Sequence, residues 1–325
     1  MNDPPPAVEA LLRHCETFPD FANDALIDRG SLAFYTMPPP VHMVSLSAGA
    51  LIRVYESPSI SQVLATTGRL IEGADRRIRE TGKWVSTAML PGGLRPGQPG
   101  YVATLQVRML HAQMRRVARN RGFDEALHGV PINQVDLART WLDFTYTSMR
   151  AEAIMGFSLT SRETRSLYRY WWLLAHLLGI DARLVQGVST HEQAARVDTL
   201  LQYVTGPLID DSVALASATL NSIADLLHVG LRLPEPLGSR GLASLARMFH
   251  GDAVADELGI SRSRAADRVI DAAIERVRSF RSSLRTEPTK WSAHIEDNLA
   301  AARQSVAASD AALYENAHAT HRSEP

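Results

Sequence analysis

The chain has 325 residues, 45% of them hydrophobic and 21% charged, with 34 lysines and arginines set against 35 aspartates and glutamates. This balance excludes an acidic disordered chain and offers no basic excess for nucleic acid, while the length suffices for one large domain with a sizeable core. Cys15 is the one cysteine, so an internal disulfide and a cysteine-rich zinc or iron–sulfur site are excluded, in keeping with a reducing compartment.

The N-terminal run MNDPPPAVEALLRHC lacks a basic start followed by a long apolar stretch, and no segment reaches the roughly 20 apolar residues of a membrane span. A cytoplasmic chain is expected. Helical periodicity dominates and strand alternation is scarce. A helix is predicted over 8–16, after Pro4 to Pro6, and a largely apolar, buried helix over 41–55, stopped near Pro58. A long helical pattern fills 60–84, a Pro/Gly-rich loop 90–100, and an amphipathic helix 101–119. Asn133 and Asp136 form a capping pair for a helix reaching about residue 155, and Thr160 with Glu163 caps a second helix that ends at Gly179. Further helices are predicted over 193–203 and 208–228, a Pro/Gly break over 231–241, then helices over 242–249, 252–258, 264–284 and 290–309, with fraying from His318. The reading is all-α: a leader with helices over 1–40, a single large helical domain over 41–287, and a polar helix with a tail over 288–325.

One helix carries the first candidate site. On 101–119, Val102, Ala103, Leu110, Met114 and Val117 gather on a core face, and Thr104, Arg108, His111 and Arg115 gather on another. A histidine with an arginine a turn away on either side suits a haem, because neutral imidazole ligates iron and guanidinium groups pair with propionate carboxylates. A solvated polar face with a chance histidine has the same spacing. On the preceding helix Arg77 and Thr81 share a face at i and i+4, among Arg76, Arg79 and Lys83, which equally reads as a solvated basic face.

Three runs carry a family likeness: RRIRETGKW at 76–84, RMLHAQMRR at 108–116 and PINQVDLARTWLDFTY at 131–146. With the Tyr168, Trp172 and Gly179 helix and RMFHGDAVADELGI at 247–260, they resemble the catalytic domain shared by rubber oxygenases (latex clearing proteins) and the fungal oxygenase of mycophenolic acid biosynthesis. The likeness covers about residues 45–265, and it rests on the order and spacing of the runs; His111 follows Thr81 by 30 residues. It implies a globin-like helical core, haem b, and dioxygen chemistry at isoprenoid carbon–carbon double bonds. By resemblance His111 is the proximal iron ligand, and Arg77 and Thr81 lie on the distal side or near the propionates. Arg108, Arg115 and Thr104 are the haem-facing neighbours that helix geometry adds. Glu80 stands where the family has lysine, and a buried Glu80 could serve as an acid or base. No acidic residue occurs in Ser59-Ile60-Ser61-Gln62, where the family's proposed base is expected. These departures, with the missing secretion signal, point to a small, apolar, intracellular substrate and O2 rather than to a polymer.

Other protein classes share some of these signals. The stretch 251–278 resembles a helix-turn-helix whose Arg262, Arg264 and Arg268 could meet phosphates, although Asp267, Asp271 and Glu275 interrupt that face. A non-catalytic haem-binding helical protein is a further alternative. A di-iron bundle needs two Glu-x-x-His pairs, and one is present, Glu125 with His128. Trp141 and Phe144 are expected to pack the interior or line a substrate cavity. His176 is read as a hydrogen-bonded structural histidine.

Overall fold

Helices carry nearly all of the chain in a computed structural model that describes residues 5–66, 74–231 and 234–308. In order they are α1 (Pro6–Glu16), α2 (Asp24–Arg29), α3 (Pro39–Val44), α4 (Ile52–Tyr55), α5 (Pro58–Thr66), α6 (Ala74–Met89), α7 (Pro99–Asn120), α8 (Glu125–His128) and α9 (Gln134–Leu142). Then come α10 (Ser148–Ile154), α11 (Ser161–Leu178), α12 (Ala182–Val185), α13 (His191–Tyr203), α14 (Asp210–Leu231), α15 (Glu235–His250), α16 (Asp252–Glu257), α17 (Arg264–Arg285) and α18 (Pro288–Ala308). A 3₁₀ turn at Leu32–Thr36 and π-helical stretches at Ser45–Leu51 and Asp143–Thr147 complete the set, and no strand occurs among the described residues.

The caps explain the firmest boundaries. Asn133 accepts from the amides of Val135 and Asp136 while Asp136 receives the Asn133 amide, which starts α9. Thr160 and Glu163 close the same reciprocal box at α11, and Gly179 ends that helix in the left-handed region at φ 77°. Helix α11 runs through the centre, with Leu167, Tyr168, Tyr170, Trp171, Leu173 and Leu174 all buried. Around it α6 packs on α7, α7 on α11, α14 on α15 and α15 on α17, and the two π-helical stretches pack on each other.

Several elements depart from expectation. The predicted helix over 41–55 widens to π geometry at Ser45–Leu51, where the Ser47 hydroxyl donates back to the Met43 carbonyl. Thr145 does the same to Trp141 at 2.8 Å inside the π stretch of the 134–154 rod. In both places a hydroxyl competes for the carbonyl that the helix ladder needs. Of the predicted rod over 60–84, α5 and α6 form its two ends, and residues 67–73 lie outside the described residues. The predicted break over 231–241 is mostly helix. Helix α15 starts at Glu235 and runs through Gly238 and Gly241, with a proline in its first turn, where a missing N–H is harmless. The tail from His318 lies outside the described residues. On α7 the expected core face needs correcting: Val102 is 41% exposed, and Tyr101, Thr104, Val107 and Ala118 are buried instead. Hydropathy misplaces that face because Thr104 satisfies its hydroxyl on the Gly100 carbonyl at 2.7 Å and can therefore go inside.

Beneath the two π stretches lies a buried charge cluster. Arg53 pairs with Glu56 and, at 3.1 Å, with Asp198, while Arg139 donates to the Thr205 hydroxyl. Glu56 also meets His250 Nδ1 at 3.2 Å. Both carboxylates in contact, Glu56 and Asp198, pair with Arg53, and among the described residues no cation makes an ion-pair contact with Asp143, although the charges of Arg139 and Arg53 act on it. Asp143 is fully buried, its Oδ2 has no partner, and burial pushes its carboxyl up to about 8. The folded state therefore keeps a proton that the unfolded chain releases near 3.8, and stability falls as pH rises through that window. Asp143→Asn should melt with wild type near pH 4 and roughly a few degrees above it at pH 8, measured by circular dichroism.

Candidate active-site cavity

A cavity of about 470 Å³ opens between α6, α7 and α9, within the range of cofactor and small-molecule sites. Helix α6 contributes Arg77, Glu80, Thr81 and Trp84, at the i, i+3, i+4, i+7 spacing of one face. Helix α7 contributes Val107, Leu110, His111 and Met114 by the same rule. Helix α9 adds Asp136, Leu137, Thr140 and Trp141, and Phe144 follows from the π stretch. The sequence-predicted His111, Arg77, Glu80 and Thr81 are thus brought together on one cavity.

The His111 ring is held in the wall with its Nδ1 buried and without a hydrogen-bond partner. Burial lowers its pKa to about 4, and the charges of Arg115 and Arg77 push the same way. At neutral pH the imidazole is therefore neutral, the form that ligates a metal. Glu80 accepts from Arg76 Nε at 2.7 Å and keeps only 15% of its side chain exposed.

Three α7 residues expected around a haem point elsewhere. Thr104 is fully buried in the helix packing and accepts the Trp84 indole N–H at 3.1 Å, so it seats a cavity wall without touching the cavity. Arg108 turns toward α1 and the end of α11: its Nη1 donates to the Leu177 carbonyl at 3.2 Å and lies 3.5 Å from Cys15 Sγ. Its guanidinium fills the space over Gly179, where an added Cβ would sit 2.7 Å from Cζ. One turn before His111 on the same helix, Arg108 is rotated far enough to meet α11. Arg115 donates to the carbonyls of Pro131 at 3.0 Å and Ile132 at 2.9 Å. Ile132, at φ 53°, is the one non-glycine residue in the left-handed region among the described residues, and it lines the cavity. A β-branched residue there is strained, so Arg115 acts by pinning a distorted piece of the cavity wall.

Asp136, read from the sequence as a helix cap alone, also lines the cavity. Its Oδ2 accepts from the Ser59 hydroxyl at 3.0 Å and from the Asn133 amide at 3.3 Å, and burial raises its carboxyl to about 6. The available signal was its helical spacing to Thr140, which places both on one face. Trp141 and Phe144 line the cavity, Trp141 tied by its indole N–H to the Trp171 carbonyl at 2.9 Å. His176 stacks on His14 with ring centres 4.3 Å apart, away from the site. Among the described residues no group of three or more His, Cys, Asp or Glu could hold a metal. The helix-turn-helix candidate folds as α16 and α17. Its Arg262 pairs with Asp252 at 3.2 Å, and buried Arg281 anchors α17 to the Thr36 carbonyl.

An all-helical domain enclosing an apolar cavity with a few inward polar groups is the class that this fold and site define. The model of the family described as "ER-bound oxygenase mpaB/B'/Rubber oxygenase, catalytic domain" matches residues 41–286, and the chain belongs to that family. The chain is similar to the rubber oxygenase of Streptomyces sp. (strain K30), 23% identical over 292 residues, covering 86% of this chain and 67% of that protein. Its fold is similar to latex clearing protein in the closed state, with a TM-score of 0.72 at 20% identity over 94% of this chain and 80% of that one.

The depressed His111 pKa has a measurable consequence. Because the folded pKa lies below the unfolded value, the contribution of His111 is fully present above pH 6.5 and is lost as pH falls toward 4. His111→Leu should remove that loss. Across that pH range wild type should lose up to about 3 kcal/mol more than the variant in urea titrations.

Proposed function

We propose that this oxygenase-family chain is a haem b-dependent oxidoreductase acting with O2 on a small apolar molecule, of the alkene or isoprenoid class. The observation that carries the reading is the His111 imidazole, neutral and unpartnered in the wall of an apolar cavity, flanked by the positive charges of Arg77 and Arg115. A buried polar atom without a partner is costly, and coordination to a metal relieves that cost. His111 would hold the haem iron. Arg77, on the cavity wall, would pair with a propionate, and Arg115 would add positive charge behind Ile132. Bound haem supplies the dioxygen chemistry that side chains lack.

The chain's own residues do the rest. Trp84, Trp141 and Phe144 wall the site with aromatic surface and keep water out. The Thr81 hydroxyl offers a hydrogen bond at the α6 wall, where it can orient a polar oxygen species. Glu80, steadied by Arg76, and Asp136, with its raised pKa, are the two carboxyl groups able to hold or move a proton in the cavity. The name of the Streptomyces relative suggests rubber as its substrate; for this chain the cavity dimensions favour a small molecule. No helix among the described residues is long and apolar enough to cross a membrane.

The test is an absorption spectrum and iron analysis of protein purified with haem supplied, beside His111→Ala. A Soret band with about one iron per chain, lost in the variant, is the expected result. A wild-type protein that takes up no haem, or a variant that keeps it fully, would overturn the assignment.

A further inference from the structure

A second cavity, of about 430 Å³, lies on the other side of α6. It is bounded by the 3₁₀ turn, α3, the first π stretch, α14 and α18. Three residues line both cavities: Leu51, Thr81 and Phe144. Helix α6 is the partition. Arg77, Glu80, Thr81 and Trp84 face the His111 cavity, whereas Ile78, Gly82 and Ser86, spaced four apart, face the second one. At about 100° per residue Thr81 falls on the boundary between these two faces.

We infer that the second cavity binds the body of a neutral, elongated apolar substrate, whose reactive end meets the His111 cavity between Thr81, Leu51 and Phe144. This rests on the haem reading only for which cavity holds the reacting centre. The walls are apolar, with Phe34, Met43, Leu46 and Leu226 among them. No lysine or arginine among the described residues lines it, so nothing there balances an anionic head group. Hydroxyls of Ser86 and Ser305 remain to meet an alcohol or carbonyl end. The cavity floor is rigid: the His42 ring stacks on Phe34 at 3.5 Å, with Nδ1 2.8 Å from Glu152 Oε1 and Nε2 2.8 Å from the Phe34 carbonyl. Gly82 sets the room available. A glycine weakens a helix interior, and a Cβ added here would meet nothing within 4 Å, so the lack of a side chain leaves open space on the cavity side.

That open space supplies a test with little risk of misfolding. Farnesol, a neutral isoprenoid alcohol, is titrated calorimetrically into the full chain loaded with haem, and into the haem-free chain. Wild type, Gly82→Ala, Gly82→Phe and Ser86→Leu are compared, with haem uptake measured by Soret titration. The expected result is binding by wild type and Gly82→Ala, weakening of about tenfold or more in Gly82→Phe and Ser86→Leu, and unchanged haem uptake in all four. Unweakened farnesol binding in folded Gly82→Phe and Ser86→Leu would overturn the inference, as would no binding by wild type in either form. If wild type takes up no haem while farnesol binding stays sensitive to Gly82→Phe, the second cavity stands and the haem assignment falls.

Discussion

The site depends on one buried hydrogen bond, from the Trp84 indole N–H to the Thr104 hydroxyl at 3.1 Å. It joins the middle of α6 to the first turns of α7 and fixes the rotation of each helix about its axis. With Trp84 so placed, Arg77, Glu80 and Thr81 must face the cavity one and two turns earlier, and on α7 Val107, His111 and Met114 must face it about one, two and three turns later. Thr104 passes its own hydrogen on to the Gly100 carbonyl, so the chain of donors closes without leaving a polar atom unsatisfied in the core. The indole is too large and too polar on one edge to turn elsewhere in a packed interior. Thr104, expected from its spacing on the exposed site face, thus works one layer behind the cavity wall, by aiming the helix that forms it.

The distribution of backbone irregularity follows the cavities. Ser45–Leu51 and Asp143–Thr147 are the two π-helical stretches, they pack on each other, and they supply Leu51 and Phe144, which line both cavities. Ile132 with its positive φ stands at the cavity wall as well. Wide turns and strained residues are unfavourable, and they persist where the surrounding packing holds them. Arg115 does so for Ile132 through two carbonyls, and hydroxyl back-bonds from Ser47 and Thr145 do so for the π stretches.

Much of this was legible in the sequence. The all-α class, the two capping boxes and the left-handed glycine at the end of α11 rest on local rules, and local rules suffice for them. The placement of Arg77, Glu80, Thr81 and His111 on one cavity was legible through helical spacing and family likeness together. Thr104 and Arg108 lie off the cavity, which their spacing does not reveal, because spacing on one helix gives an arc and leaves open which neighbour that arc meets. Only the α7–α11 contact reveals that Arg108 belongs to the Leu177 carbonyl and Gly179. Asp136 was hidden for the opposite reason: its capping role was sufficient to explain it. The π stretches had no signal, since a hydroxyl that back-bonds reads like any serine or threonine in a helix.

Placing two cavities on opposite faces of one helix divides labour in a way that a single larger cavity would not. The face with Arg77, Glu80 and Trp84 carries charge and aromatic surface, which suits the cofactor proposed for that cavity. The face with Ile78, Gly82 and Ser86 presents one apolar side chain, one glycine and one small hydroxyl, which suits the flexible apolar body proposed for that cavity. Thr81, on the seam, is the one α6 side chain that borders both, so its small branched hydroxyl can meet a polar atom on either side. On the proposed reading α6 places a short polar residue at the seam, an aromatic on the His111 side and an absent side chain on the other, and Thr81, Trp84 and Gly82 do so within a single turn.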